Sequence, residues 1–183
     1  MPVKLHIGCG ERYIPGFTHV DVRKFEHVDV VAPAWQLDVF EDDSVDLIYC
    51  CHTLEHLKKT QVGLTLAEWH RVLRPGGVLR LAVPDFAKIC QMYTRTGDLS
   101  QLLGLLMGGQ DYPENTHYTV YDYAYLAGLL QDAGFTSVRC YDWRETEHWD
   151  HDDFSQAYLP HMDKEHGTLM SLNVEAEKRA AGR

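Results

Sequence analysis

Short apolar runs rich in β-branched residues alternate along this chain with segments of helical period. Such alternation is typical of strands joined by helical crossovers, which lie in a parallel sheet. The runs at residues 45–51 and 78–83 are almost wholly apolar, as expected of central strands covered on both faces. Further strands are predicted at residues 3–7, 18–22, 28–31, 137–143 and 169–176. The sequence therefore predicts an α/β fold.

Two segments between these runs have clear helical period. Thr60 is a candidate N-cap for the first helix, and Pro75-Gly76-Gly77 ends it. Its apolar face comprises Val62, Leu66, Trp69 and Leu73. The second helix has capping-box spacing at Thr119 and Asp122 and a candidate C′ residue at Gly134. Its apolar positions are Tyr125, Leu126, Leu129, Leu130 and Ala133.

Length and charge limit the classes of protein. A chain of 183 residues with 45% hydrophobic residues can bury one sizeable core, so we expect a single domain over residues 1–183. The net charge of −10 argues against nucleic acid or an anionic membrane as a partner. No membrane span or signal peptide is recognisable, which predicts a cytoplasmic location. The five cysteines have no disulfide or zinc spacing, and we expect them to be reduced and mostly buried.

The first predicted strand ends at Gly8-Cys9-Gly10. Glycine permits a sharp turn there and lets the backbone approach a ligand closely. A dinucleotide-binding fingerprint would need a third glycine where Tyr13 stands and an acidic residue about 20 positions further on. Instead, Asp21 lies at the end of the second predicted strand. The pattern therefore disfavours an NAD-dependent oxidoreductase.

Four stretches, in this order and at these spacings, resemble the class I S-adenosylmethionine-dependent methyltransferases, in particular the small group described as methyltransferase type 11. They are LHIGCG at residues 5–10 with PGF at 15–17 and VD at 20–21, FEDDSVDLIY at 40–49, HTLEHL at 52–57, and RVLRPGG at 71–77. Residues 169–178 resemble the family's last strand, and the similarity is weakest from about residue 88 to 118.

The resemblance implies a fold and a cofactor. The fold is a doubly wound, mostly parallel seven-stranded sheet of the Rossmann-like methyltransferase type, with an antiparallel last strand. The cofactor is S-adenosylmethionine, which leaves as S-adenosylhomocysteine. By the same resemblance Gly8, Cys9 and Gly10 cradle the methionine part, and Asp21 accepts hydrogen bonds from the ribose hydroxyls, although a solvated loop carboxylate is the alternative for Asp21.

The adenine pocket is less well defined, because many relatives place an acidic residue where Ala32 to Ala34 stand here. Trp35, Gln36 and Leu37 are the candidates for an apolar wall and hydrogen bonds. Cys51 and His52, at the end of the fourth predicted strand, are expected beside the cofactor.

Methyl transfer is an in-line displacement, and the enzyme must align the groups and remove a proton from a hydroxyl or amine acceptor. His52, Asp85 and His117 are the candidate catalytic residues. Two of these residues have a structural alternative: Asp85 as the cap of a helix that begins at Phe86, and His117 as part of a surface connection. The nearby His56 is either a further base or a structural residue at a helix start.

Two further segments have two interpretations each. The stretch at 147–153 has the residue types of a metal site without the spacing of a known one, so we predict a solvated acidic loop and no metal ligands. The helical insert at about 86–118, with its apolar segment at 86–109, is either a cover for the substrate pocket or the face of a homodimer. The loop at about 144–167 is expected on the substrate side.

The function expected from these features is transfer of a methyl group from S-adenosylmethionine to oxygen or nitrogen of a small-molecule, sugar or peptide acceptor. The alternative is a methyltransferase-like protein that binds the cofactor, or serves as a scaffold, without turnover.

Overall fold

A computed structural model describes residues 2–180 as one central sheet with helices and loops around it. Seven strands form this sheet in the order β3-β2-β1-β4-β5-β9-β6, and all are parallel except β9, which is antiparallel to both neighbours. Its strands are β1 (Lys4–Ile7), β2 (Thr18–Asp21), β3 (Val30–Val31), β4 (Val45–Cys51), β5 (Leu73–Pro84), β6 (Phe135–Cys140) and β9 (Ser171–Lys178). The short strands β7 (Tyr158–Leu159) and β8 (Thr168–Leu169) pair separately. The mostly parallel seven-stranded α/β fold is confirmed.

Four α-helices accompany the strands within the described residues. They are α1 (Lys59–Val72), α2 (Phe86–Thr96), α3 (Leu103–Met107) and α4 (Tyr123–Asp132). The connection from β1 to β2 has only about ten residues, fewer than the dozen or more that a helical crossover needs. It is a loop, as are the connections from β2 to β3 and from β3 to β4 within the described chain.

One face of the sheet, here called the helix-covered face, is mostly apolar. It carries Leu5, Ile7, Val20, Ile48, Cys50, Leu79, Leu81, Val83, Leu172, Val174 and Ala176, all in one buried cluster. Helix α1 packs Leu66 and Trp69 against this cluster, and α4 packs Leu126 and Leu130. The apolar residues that alternate along the strands and those on one face of α1 and α4 therefore form a single core.

The opposite face, here called the loop-covered face, carries alternate residues of the same strands. These include His6, His19, Leu47, Tyr49, Arg80, Asn173 and Glu175. Ile14 and Phe17 of the β1–β2 connection pack on Leu47 and Tyr49. Residues 142–157 cover the remainder, with His148 against Tyr49 at a ring separation of 4.2 Å. Connections thus run on both faces, as in a doubly wound sheet, but on this face they are loops.

Several boundaries differ from the sequence-based prediction. Thr60 is not an N-cap, because α1 already begins at Lys59, where the Gln61 side chain accepts from the Lys58 amide at 2.9 Å. The strand predicted at 137–143 is β6, which begins two residues earlier and ends at Cys140. Strand β9 continues to Lys178, two residues beyond the end of the strand predicted at 169–176. Residues 181–183 lie outside the described residues.

The second predicted helix is α4, and its ends and the cysteines can be compared with the sequence-based predictions. Asp122 caps α4 by accepting from the Tyr125 amide at 2.8 Å, and Gly134 follows its end with a φ of +94°, as predicted for a C′ residue. All five cysteines are free, but Cys90 and Cys140 are exposed, so the expectation of mostly buried thiols is only partly met. In the described part of the chain the longest helix has 14 residues, and none combines the length and apolarity needed to cross a membrane.

Candidate active site

A cavity of about 1160 Å³ lies at the carboxyl ends of β1, β2 and β4. In a sheet of this topology, these strand ends flank the point where the strand order reverses, which is where α/β proteins bind ligands. The cavity is bounded by the glycine loop after β1, the segment after β4, and residues 101–118 of the insert. Sequence-predicted site residues from distant parts of the chain therefore meet in one place.

The glycine loop turns away from β1 with two left-handed residues. Gly8 has a φ of +67°, and a Cβ there would stand 2.1 Å from Thr53 Oγ1. Gly10 has a φ of +54°, but a Cβ there would meet nothing closer than the Arg23 side chain at 4.0 Å. Gly8 is thus required by close packing, whereas Gly10 is required by backbone conformation.

Asp21 joins the glycine loop to the end of β2. Its carboxylate accepts from the Gly10 amide at 2.7 Å and from the Arg23 amide at 2.8 Å, and the residue is buried. Each carboxylate oxygen retains capacity for a further hydrogen bond. Asp21 lines the cavity and is held by the backbone, so its carboxylate is positioned before any ligand arrives.

The segment after β3 forms the apolar end of the cavity. Ala32, Pro33, Ala34 and Trp35 line it, with Trp35 36% exposed. Leu37 does not line the cavity, because its side chain is fully buried in the core. Gln36 is exposed and donates to Asp38 at 2.9 Å. Of the three residues predicted to surround adenine, only Trp35 lines the cavity in the described structure, since the chain turns back to the core at Leu37.

The two cysteines at the cavity are thiols and not thiolates. Burial raises the pKa of Cys9 to about 12, and burial also raises the pKa of Cys51 well above its usual value. Both line the cavity, as predicted from the sequence. Neither is suited to nucleophilic chemistry, because the thiolate is the reactive form.

Three histidines surround a buried carboxylate on the side of the cavity away from Asp21. His52, at the end of β4, has a φ of +48°, and its Nδ1 lies 3.3 Å from Glu55 Oε1. His52 Nε2 lies 3.2 Å from Ser171 Oγ. Burial raises the pKa of Glu55, but the neighbouring His52 and His56 outweigh this effect and hold the pKa below its usual value. Glu55 is therefore an anion among imidazoles.

His117 reaches this group from the insert. Its ring meets the His56 ring edge-on at 4.6 Å, and its Nε2 lies 4.0 Å from Glu55 Oε1. Burial lowers the pKa of His117, which favours the neutral imidazole. The sequence-predicted residues His52 and His117 both line the cavity, whereas Glu55 is not among the catalytic residues predicted from the sequence.

Asp85 lies outside the cavity lining. Its carboxylate accepts from the Lys88 amide at 3.1 Å and caps α2, which begins at Phe86. This geometry favours the capping alternative over that of a base.

The segment at 144–167 lies mostly against the sheet. Within these residues, all of which the structure describes, only Phe154 lines the cavity. The acidic stretch at 147–153 is only partly solvated, since Glu147 pairs with Arg80 at 2.6 Å and the Asp153 carboxylate accepts from Tyr49 at 2.5 Å. Through these contacts, Glu147 and Asp153 lie against strand residues of the loop-covered face.

The chain is similar to a known methyltransferase family in sequence and to known methyltransferases in fold. Residues 13–81 match a family described as "Methyltransferase domain". No curated protein matches the chain in sequence. Among solved structures, a SAM-dependent methyltransferase from Archaeoglobus fulgidus has a TM-score of 0.60 at 14% identity, with 97% of this chain and 86% of that chain covered.

Two further structures have the same fold. The Burkholderia thailandensis 1,6-didemethyltoxoflavin-N1-methyltransferase, with bound 1,6-didemethyltoxoflavin and S-adenosylhomocysteine, has a TM-score of 0.59 at 18% identity over 97% of this chain and 72% of that one. A Haloferax volcanii chain described as a methyltransferase, in complex with the Trm112 methyltransferase activator, has a TM-score of 0.59 at 16% identity over 97% and 83%. The domain match over residues 13–81 and these structural likenesses show that this chain has the fold of S-adenosylmethionine-dependent methyltransferases.

Proposed function

We propose that the protein transfers the methyl group of S-adenosylmethionine to an oxygen or nitrogen of a small-molecule, sugar or peptide acceptor. The observation that carries this proposal is the size and position of the cavity. Its volume of about 1160 Å³ exceeds the roughly 300–1,000 Å³ of a pocket for one small ligand. A single cavity of this size has room for a cofactor and an acceptor side by side.

The two ends of the cavity suit different ligands. The end with Gly8, Gly10 and Asp21 offers a tight backbone turn and a fixed carboxylate, which suit the methionine part and the ribose hydroxyls. Ala32 to Trp35 offer an apolar surface for the adenine ring. The other end, with His52, His56 and His117, is left for the acceptor.

The insert supports a small acceptor, because Gln101, Leu105 and Tyr112 close the cavity from above. The Arg23 guanidinium lies 4.2 Å from the centre of the Tyr112 ring, which links the insert to the cofactor end. Leu102 is buried and packs with Ile89 and Met92 within the insert. A homodimer through the same segment stays a prediction that rests on the exposed Leu103 and Met107.

Transfer itself needs alignment and the loss of one proton. The acceptor atom attacks the methyl carbon, the carbon–sulfur bond breaks with its electron pair going to sulfur, and the acceptor's proton passes to a base. His117 is the better placed of the two candidates, because its Nδ1–H donates to the Leu105 carbonyl at 3.0 Å and leaves Nε2 as an acceptor.

His52 has less freedom. The Asn173 amide donates to the Ser155 carbonyl, so Asn173 Oδ1 accepts from Ser171, and the Ser171 hydroxyl in turn accepts from His52 Nε2. We therefore assign His52 an orienting role beside the Glu55 carboxylate, and Asp85 the role of a helix cap.

Calorimetric titration with S-adenosylmethionine, S-adenosylhomocysteine and NAD tests the cofactor site. We expect the first two ligands to bind, NAD not to bind, and Asp21→Ala to abolish binding because it removes the ribose acceptor. Asp38→Ala is the matched control, since Asp38 is exposed and outside the cavity lining. Binding of NAD alone, or unchanged affinity in Asp21→Ala, would contradict the assignment.

Turnover is then tested with a panel of hydroxyl and amine acceptors under saturating cofactor. An acceptor that is methylated by the wild type and not by His117→Ala supports the acceptor side proposed above. Full turnover in His117→Ala would remove that residue from the mechanism. Cofactor binding without turnover on any acceptor class would favour the scaffold alternative.

A further inference from the structure

Glu55, His56 and His117 place three potential metal-ligand atoms close together at the acceptor end of the cavity. One atom from each residue lies within 4.8 Å of the other two. Glu55 and His56 follow β4 in a single 3₁₀ turn (Leu54–His56), while His117 belongs to the insert, about 60 residues further along the chain. The fold therefore assembles a group that the sequence keeps apart.

The Glu55 carboxylate lacks the partners that a buried anion needs. Glu55 is 1% exposed, and neither carboxylate oxygen makes a hydrogen bond within the described part of the chain. His52 Nδ1 stands 3.3 Å from Oε1 without hydrogen-bonding geometry, and His117 Nε2 stands at 4.0 Å. Burying an unpaired carboxylate is costly unless a cation is bound beside it.

The two histidines are oriented as metal ligands usually are. His56 Nδ1 lies 3.3 Å from the Thr116 carbonyl oxygen, and His117 Nδ1 lies 3.0 Å from the Leu105 carbonyl oxygen. Because a carbonyl oxygen only accepts, each Nδ1 carries the proton, and each Nε2 keeps its lone pair. Such backbone contacts fix the tautomer and ring direction of metal-binding histidines.

The backbone around His117 is built to hold this position. The Tyr118 amide donates to the Glu55 carbonyl at 2.8 Å, and the His117 amide donates to the Met107 carbonyl at 3.1 Å. Gly108 has a φ of +73°, and a Cβ there would stand 3.0 Å from the His117 ring. The insert is thus tied to the 3₁₀ turn on both sides of the histidine.

We propose that Glu55, His56 and His117 bind one divalent cation of the first transition series, such as Zn²⁺ or Mn²⁺. Two imidazoles and one carboxylate are a ligand set of open sites, in which a further position is left for water or substrate. His56 and His117 line the cavity, so that position faces the acceptor.

The role of the ion rests on the proposed function. A bound cation lowers the pKa of a coordinated hydroxyl and holds its oxygen in place for attack on the methyl carbon. The proton then leaves to solvent or to a nearby base, and His117 serves as a ligand instead of a base. The sequence alone predicts no metal ligands, because His117 stands so far from Glu55 and His56 along the chain.

Titration of the chelator-treated full chain with Co²⁺, followed by visible absorption, tests the site. Cobalt is the probe because its spectrum reports imidazole and carboxylate coordination. We expect one equivalent to bind to the wild type, and we expect His117→Ala and Glu55→Gln to weaken binding by roughly 10–100-fold or more. His151→Ala is the matched control, since His151 contacts Asp150 in the alternative acidic stretch.

S-adenosylhomocysteine titration of each variant, in the same buffer, separates this proposal from the proposed function. Unchanged cofactor binding in His117→Ala shows that the variant is folded, and a Zn²⁺-induced rise in Tm in the wild type alone provides a second readout. A wild type that binds S-adenosylhomocysteine but no divalent ion would overturn the metal site and leave the methyltransferase assignment intact. Cobalt binding that survives His117→Ala and is lost in His151→Ala would also overturn it.

Discussion

The two faces of the central sheet are built from the same strands but stabilised in different ways. On the helix-covered face, side chains such as Leu5 and Ile48 pack against α1 and α4 in one apolar cluster. On the loop-covered face, the neighbouring residues His6 and Tyr49 lie beneath a loop and contact other polar side chains. One face is held mainly by apolar packing, whereas the other combines a small apolar cluster with hydrogen bonds and ion pairs.

The difference follows from the length of the connections. A helix presents an apolar stripe that strands can pack against, but the β1–β2 connection is too short to form one. Residues 142–157 take its place, and a loop brings backbone groups and polar side chains that must find hydrogen-bond partners. The strand residues facing it are accordingly polar, as with Arg80 between Glu147 and Glu175.

The largest expected effect lies on the helix-covered face. Trp69 is fully buried, and its indole N–H donates to the Ala34 carbonyl at 2.8 Å. We expect Trp69→Ala to lower the free energy of unfolding by about 3–5 kcal/mol, because it leaves a large cavity in the apolar cluster. Urea unfolding followed by circular dichroism measures the loss.

Leu64→Ala is the control for that variant, because Leu64 lies on the same helix and is 64% exposed. Its effect should stay within about 0.5 kcal/mol. If the two variants were equally destabilising, the burial of Trp69 would not explain the result, and the contrast between the faces would be lost.

Arg80→Met tests the other face and should have a smaller effect. Removing the guanidinium leaves Glu147 and Glu175 without their shared partner, at distances of 2.6 and 2.7 Å in the wild type. Breaking a buried pair costs about 3–5 kcal/mol, but the Glu147 side chain is 37% exposed, so we expect about 2 kcal/mol. Urea unfolding of Arg80→Met and of Arg80→Met with Glu147→Gln gives the value.

In that pair of variants, the second substitution should recover part of the loss by removing a carboxylate that has lost its Arg80 partner and keeps only Lys4. A double variant as unstable as the sum of the two single ones would mean that the ion pairs contribute independently of each other. The loop-covered face would then lack the connected network described above.

The two faces also differ in how well the sequence predicts them. The helix-covered face follows from local patterns, since alternating apolar residues in strands and the helical spacing of Val62, Leu66 and Trp69 require no knowledge of distant contacts. Leu73, predicted on the same helix, is instead the first residue of β5. The loop-covered face depends on partners far apart in the chain, such as Lys4 with Glu147. No local period predicts such a pair, so the stretch at 147–153 was interpreted as a solvated loop.

The same limit applies at the active site. Gly8, Gly10 and Asp21 could be found because one short strand-loop-strand unit, residues 4–21, contains all three. Leu37 was misplaced because its apolar side chain suits either a ligand wall or a core, and only the packing against α1 decides between them. Glu55 was missed because its burial depends on the return of the insert at Tyr118.

The stability of the loop-covered face should depend on pH, because buried histidines lie on it. Burial lowers the pKa of His6 to about 3 and that of His148 to about 4. The titratable groups near them include His19, His27, Arg80, Glu147, His151 and Asp153. The unfolded chain binds a proton at each histidine below about pH 6.5, which the folded protein does not. Stability should therefore fall between pH 6.5 and about 4, by up to about 1.4 kcal/mol per pH unit for each histidine.

His6→Leu isolates one of these contributions. The variant should have a smaller loss of unfolding free energy between pH 6.5 and 4 than the wild type, as measured by urea titrations at several pH values. His166→Leu, an exposed histidine in a distant turn, should leave the slope unchanged. Equal slopes in the wild type and His6→Leu would show that the loop-covered face does not exclude the proton from this ring.

The smallest effect is expected where the polar network reaches the edge of the sheet. Arg139 on β6 pairs with Glu175 at 2.9 Å and with Glu177 at 2.8 Å, but its side chain is 49% exposed. Solvent screens both pairs, so Arg139→Gln should lower the free energy of unfolding by less than about 1 kcal/mol.

Because Glu175 also pairs with Arg80, Arg139→Gln and Arg80→Met remove an exposed and a covered partner of the same carboxylate. Urea unfolding at low and at high salt checks it, since an exposed pair weakens with salt and a covered one does so much less. If Arg139→Gln were as destabilising as Arg80→Met at both salt concentrations, the network would extend undiminished to the edge, and the loop cover over Arg80 would add nothing to its stability.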